Sequence, residues 1–115
     1  MIHLHPLAGV CFLLFVHWVA DFVFQSDTMA QRKSYSKKSL TFHVLVYSIF
    51  FIIFGLVYAV INGLLHWIID FFTSKASSYL YKQNRIHDFF VVVGFDQFLH
   101  ACSLIGTAYY LGILK

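Results

Sequence analysis

Residue types that bind metals or move protons recur in this sequence at one spacing. HWVADF occupies residues 17–22 and HWIIDF residues 66–71, and the two copies hold both tryptophans of the chain. Each copy places a His and an Asp four residues apart, as His17/Asp21 and His66/Asp70. A third pair, Asp96/His100, has the reverse order. Positions i and i+4 share one face of an α-helix, so each pair presents an imidazole and a carboxylate together. Such a face suits a divalent metal: Zn²⁺ takes His nitrogen and Asp oxygen, usually four-coordinate, and Mn²⁺ or Fe²⁺ accepts similar sets with more ligands. The expected ligands are His17, Asp21, His66, Asp70, Asp96 and His100, with His43 at the edge, holding one or two ions. Gln25, Asn62 and Gln97 are expected to hydrogen-bond those ligands from outside. A single His–Asp pair is more simply a hydrogen bond between helices. Seven such residues at one depth favour a metal.

The elements that carry these residues are strongly apolar. Of 115 residues, 60% are hydrophobic and only 11% charged, against about 25% charged in soluble domains. Runs at 7–24, 40–61 and 89–114, with a helix from about 64 to 82, approach or exceed the roughly 20 residues needed to cross a bilayer. The expected fold is therefore all-α, one integral membrane domain over 1–115. It is a four-transmembrane-helix bundle built from two parallel repeated hairpins, about 5–61 and 62–115, with a tight turn at Asn62-Gly63. Cys11 and Cys102 are expected to be small buried packing residues. An ionised Asp near a helix centre in lipid costs about 2.5–3.5 kcal/mol, and such residues usually face an interior and mark function. The reversed order of Asp96/His100 fits a helix running the opposite way. All three carboxylates then fall in one layer, with the three paired imidazoles about 6 Å deeper.

Charge sets the orientation. Arg32, Lys33, Lys37 and Lys38 follow the first helix, and Lys75, Lys82 and Arg85 follow the third. The positive-inside rule assigns both basic stretches, 26–39 and 73–88, to the cytoplasm and both termini to the outside. The expected setting is a multi-pass protein of the bacterial inner membrane. Its partners are the lipid bilayer and an anionic or lipid-linked substrate. No nucleic acid is expected, and self-association is open because four short helices leave much surface.

The run HWVADFVFQSDTMAQRK, a His early in the next helix, then HWIID and DQFLH resemble the small bacterial and phage membrane proteins grouped as domain of unknown function 3307. The resemblance covers nearly the whole chain and falls on His17, Asp21, Gln25, Lys33, His43, His66, Asp70, Asp96, Gln97 and His100. More distantly, HWVAD and HWIID are similar in spacing to inner-membrane metal-dependent hydrolases related to the zinc phospholipase C and P1 nuclease group. That group holds zinc on HxxxD or HxxxE helices and cleaves phosphoesters. This chain is much shorter, has DxxxH on its last helix, and lacks the group's amino-terminal Trp ligand.

These readings lead to an integral membrane, metal-dependent hydrolase of a phosphoester, lipid or lipid-linked, at a cytoplasm-facing site. Asp96 would act as general base. Lys33 would act at the site, and Lys75 and Arg85 would attract the anionic group. The alternatives are a non-enzymatic interaction or regulatory protein with a structural polar or metal cluster, and a metal or proton conduit. A conduit needs polar residues along the whole span. The outer halves of helices 2 and 4 offer few: Ser48, Ser103 and Thr107.

Overall fold

The computed structural model describes residues 2–115 and is all-helical. Helix α1 (Pro6–Trp18) opens on a proline at its first position, where the missing N–H costs nothing. It passes directly into a π-helical turn, Val19–Val23. A short helix, α2 (Asp27–Arg32), follows, and Ser26 caps it by accepting the Met29 amide at 3.1 Å. Ser36 caps α3 (Lys37–Phe50) in the same way. A 3-10 turn, Ile52–Phe54, leads to α4 (Leu56–Lys82), and α5 (Ile86–Tyr110) completes the bundle. Asn84, with φ 57°, breaks the chain between α4 and α5, in the left-handed conformation that suits Asn after a helix.

Cross-bundle bonds give the directions. Tyr58 donates to the Leu104 carbonyl, Asn62 to Thr107 and Thr73 to Asp96, so α4 and α5 are antiparallel. Trp67 donates to Thr41 while Tyr58 lies near Phe51, so α3 and α4 are antiparallel as well. The chain ends meet: Leu4 donates to the Ile113 carbonyl at 2.7 Å, and Lys115 donates back to Leu4 at 3.2 Å. The helix bundle thus runs down, up, down, up.

Several expectations change. Among the described residues, three helices, Pro6–Val23, Leu56–Lys82 and Ile86–Tyr110, are long and apolar enough to cross a membrane. The expected helix over 40–61 stops at Phe50, because the chain turns at Phe51–Gly55 and not at Asn62-Gly63. Asn62 and Gly63 lie inside α4, where Gly63 lets the Ser48 side chain of α3 approach too closely for any Cβ. The division between residues 61 and 62 therefore falls within a helix. The basic stretch 73–88 is helical through Lys82. Cys11 and Cys102 are both exposed on the apolar exterior.

The bundle has two halves. Near the chain ends, Leu13, Tyr47, Phe51, Phe54, Tyr58 and Leu104 are all almost completely buried and form a dry, largely aromatic core. Toward α2 the interior becomes polar. Between its two ends the outside of the bundle is apolar, with Phe15, Ile49, Leu64 and Phe98 among many large exposed side chains. A helix that is apolar on its outer as well as its inner face suits a lipid setting.

Gly55 sits at φ 126°, ψ 145°, a conformation essentially restricted to glycine. Gly55→Ala is expected to cost about 1–3 kcal/mol, read as a lowered Tm in detergent. An alanine variant that melts with the parent would show that the α3–α4 turn has another backbone conformation.

Candidate metal centre

Four helices deliver the polar interior. Asp21 comes from the π-turn, His43 from α3, His66 and Asp70 from α4, and Asp96 and His100 from α5. All six are nearly or fully buried. Asp21 Oδ1 lies 2.9 Å from His43 Nε2 and 3.4 Å from His66 Nε2. Asp70 Oδ2 lies 3.6 Å from His43 Nε2 and 3.2 Å from His66 Nε2. The two imidazole nitrogens are 3.1 Å apart. A tetrahedral shell with metal–ligand bonds of about 2.0–2.1 Å has edges of about 3.3–3.4 Å. Five of the six separations among the four donor atoms therefore lie near those that one such ion imposes, and all four atoms lie within 4.8 Å of one another.

A second group of donors lies beside the first. Asp21, Asp96 and His100 also bring ligand atoms within 4.8 Å of one another, with Asp21 common to both groups. His100 Nε2 lies between two carboxylates, 3.1 Å from Asp70 Oδ1 and 3.2 Å from Asp96 Oδ1. Thr73 donates to Asp96 Oδ1 at 2.5 Å. Gln97 donates to Asp96 at 2.9 Å and more weakly to Asp21 at 3.4 Å, while accepting from His17 Nε2 at 2.7 Å.

Charge decides what the cluster needs. Lys33 donates to Asp70 Oδ2 at 3.0 Å. Burial works to lower its pKa, but Asp70, Asp21 and Asp96 together outweigh burial and raise it. Lys33 thus stays an ammonium at neutral pH, and its pairing is lost only in alkali above the ordinary lysine range. Three carboxylates face this one ammonium, leaving two negative charges unmatched while the imidazoles are neutral. Unmatched charge in a buried site is very costly. One divalent cation, or two protons on the imidazoles, restores neutrality. These buried His and Asp side chains can hold a metal ion.

A cavity of about 260 Å³ opens from this cluster toward α2. Asp21, Asp96, Gln97, Lys33 and Thr73 line its polar side, and Phe22, Phe89 and Val93 its apolar side. In the opposite direction the cluster meets Tyr47, whose ring lies 4.0 Å from that of His66, and then Phe51, Phe54 and Tyr58. His66 Nδ1 is buried there without a hydrogen-bond partner, so the Nε2 side carries all of that ring's polar contacts.

The structure redistributes the expected site residues. His43, expected at the edge, is central. His17 moves to the edge: its Nε2 is 3.7 Å from Asp21, and Tyr47 donates to its Nδ1 at 2.9 Å. The π-turn accounts for the difference between the two repeats. In HWIID the helix stays regular and His66 approaches Asp70 to 3.2 Å, whereas in HWVAD the backbone widens before Asp21. Gln97 bridges Asp96, Asp21 and His17. Gln25 lines the cavity with a buried, unpartnered Oε1. Asn62 lies away from the cluster, bonded to Thr107, Ser103 and the Tyr58 carbonyl. Lys75 is exposed over the Phe71 ring and bonded to Ser34, and Arg85 pairs with Asp88 at the surface. Neither lines the cavity. Tyr47 and Thr73 are additions. Both were readable from spacing, since Tyr47 follows His43 by four residues and Thr73 continues the His66/Asp70 face.

Fold and site together define a small all-helical protein with a buried His/Asp centre at the polar end of its bundle. Over residues 10–114 the sequence matches the family described as Protein of unknown function (DUF3307), and the chain belongs to that family. No curated protein and no solved structure matches it.

Lys33 and Arg85 make a test of the site's electrostatics. Lys33→Met strands a carboxylate that is 1% exposed and is expected to cost roughly 1.5–3 kcal/mol. Arg85→Gln removes an ion pair whose members are 59% and 44% exposed, worth at most about 1 kcal/mol. Thermal melts of both variants in one detergent check the order. Equal losses would contradict the buried Lys33–Asp70 pair.

Proposed function

We propose that this is an integral membrane protein whose His/Asp centre holds a divalent metal and hydrolyses a phosphoester, lipid or lipid-linked, presented from the cytoplasmic side. The observation that carries the reading is the set of five donor separations, 2.9–3.6 Å, among Asp21, His43, His66 and Asp70. Zn²⁺ fits the four-donor set, and Mn²⁺ or Fe²⁺ fits it with further ligands.

Membrane integration is supported by three helices of spanning length and by the apolar exterior. Helix α3 with its 3-10 turn returns across the bundle over about 27 Å, slightly less than the roughly 30 Å hydrocarbon core. The basic residues of α2, α3 and the α4–α5 turn favour the cytoplasm for the end at which the cavity opens.

A bound divalent ion supplies Lewis acidity and a water of lowered pKa. The remaining roles fall to side chains. Asp96 lies outside the tight four-donor set, lines the cavity, and is oriented by Thr73 and Gln97; it accepts the proton of the attacking water. Lys33 reaches the cavity wall as an ammonium and holds the anionic group. Phe22, Phe89 and Val93 give the cavity an apolar wall against which a lipid portion can lie. Phosphoester hydrolysis is chosen for that combination and for the HxxxD spacing shared with the zinc phospholipase C and P1 nuclease group. The buried aromatic residues behind the site support a one-sided centre over a conduit.

The test is metal content, by elemental analysis, beside phosphoester turnover for purified wild type, Asp70→Asn, His43→Ala and His17→Gln. Wild type is expected to carry at least one equivalent of metal and to turn over. Asp70→Asn is expected to lose both. His17→Gln, at the edge, is expected to weaken metal binding by about 10–100-fold, and His43→Ala by more. Wild type that binds neither Zn²⁺ nor Mn²⁺ would overturn the metal centre. Metal bound without turnover on monoester, diester or phospholipid substrates would leave the centre and replace hydrolysis with a structural or regulatory role.

A further inference from the structure

The metal centre uses only one side of α2. On the other side a second feature begins that the proposed activity leaves unexplained. A cleft of about 250 Å³ lies between α2 and the start of α3, with Arg32, Lys38, Ser26 and Ser39 in its wall. Lys38 and Phe42 are shared with an adjoining cleft of about 350 Å³ beside Lys37 and Thr41. Thr41 and Leu45 in turn belong to a groove of about 530 Å³ that follows the α3–α4 seam. The three hollows thus share walls in sequence. They form one track that starts basic and hydroxyl-rich and ends largely apolar.

The fold explains the groove. Gly63 brings α4 against Ser48 of α3, so the floor is narrow, with Ala59 and Val44 beside them. Leu45, Ile49, Leu56, Val60 and Leu64 stand up as the walls, each more than half exposed. Trp67 closes the end nearest the lysines and is tied there by its bond to Thr41.

The geometry points to a binding site for one anionic phospholipid, with its phosphate on Arg32 and Lys38 and an acyl chain along the α3–α4 groove. Two cations and several hydroxyls match a phosphate in charge and hydrogen bonding, and the apolar groove matches a chain in shape and polarity. A second copy of this chain is the obvious competitor for the groove. Two copies inserted the same way up would bring Arg32, Lys37 and Lys38 of each against their counterparts, and like charges at close range oppose that pairing. A lipid with a negative headgroup gains from the same residues. The site is separate from the metal-centred cavity, which takes Ala30 and Lys33 from the opposite face of α2. It rests on the membrane reading but not on hydrolysis.

The experiment uses the full chain in neutral detergent, titrated with phosphatidylglycerol or with phosphatidylcholine of the same acyl chains. Bound lipid is counted by native mass spectrometry. One phosphatidylglycerol is expected to be retained with roughly tenfold or greater preference over phosphatidylcholine, as two basic groups near a headgroup imply. The double variant Arg32→Gln/Lys38→Gln is expected to lose the preference. Val60→Trp, which fills the groove, is expected to reduce retention of both lipids. Lys82→Gln, exposed and away from the track, is expected to behave as wild type. Equal retention of the two lipids by wild type, or an unchanged preference in the double variant, overturns the site. A dimer that excludes lipid and persists in the double variant assigns the groove to a second copy and also overturns it. Carbonate-washed membranes separate this failure from the broader one: wild type that leaves the membrane overturns the spanning reading as well, whereas retained wild type without lipid preference overturns the lipid site alone.

Discussion

Three carboxylates inside an apolar bundle are the constraint around which the rest is arranged. Asp21, Asp70 and Asp96 come from three different segments and are each less than a tenth exposed. None of them faces the apolar exterior or a dry contact. Lys33 and three imidazoles surround them, and Thr73 and Gln97 take up further oxygen lone pairs. The helices can tolerate this arrangement because their backbones are satisfied internally. What must be fixed is the relative rotation of the helices, and the charges themselves supply that fixation. Removing one partner exposes another charge to an apolar surround, which is why such clusters lock a packing arrangement even where they add little net stability.

The dry half of the bundle serves the wet half. Tyr47 belongs to both: its ring packs against Phe51 and His66, and its hydroxyl reaches His17. Tyr58 and Asn62 repeat that logic further out, each satisfying a polar group through α5 without opening a path to the surface. The short helix α2 closes the other end. It contributes no buried residue of its own, yet the lysine just after it reaches Asp70. A short surface helix is thereby tied to the deepest part of the site by one ammonium.

Much of this was legible in the sequence. The i, i+4 spacing of His66/Asp70 and Asp96/His100 brings these four side chains into one interior cluster, because a regular helix keeps such pairs on one face. The opposite order of the second pair correctly indicated an antiparallel helix. The first repeat misled, since nothing in HWVADF announces a π-turn, and that turn moves His17 outward while leaving Asp21 central. The end of α3 was hidden for a different reason. Phe51 and Phe54 are themselves buried core residues, so the turn that contains them is as apolar as the helices on either side. Asn62-Gly63 looks like a turn by composition, but Asn62 is engaged with α5 and Gly63 with α3, uses that a helix interior serves equally well. Lys75 and Arg85 share the basic character of Lys33, but only tertiary position separates a cation at a cavity from two at the surface.

The pairing of Leu4 with Ile113 and Lys115 bears on how the chain is made. These contacts join positions far apart in the sequence, so they cannot form until the helices between them have been synthesised. Until α5 has been synthesised, α1 lacks that part of its packing, including the Gln97 side chain that holds His17. The α4–α5 hairpin, by contrast, has a short turn and many local partners and can assemble as soon as it is synthesised. The clasp between Leu4 and Ile113 is thus a late contact, closing a bundle whose buried charges wait for their partners on α5.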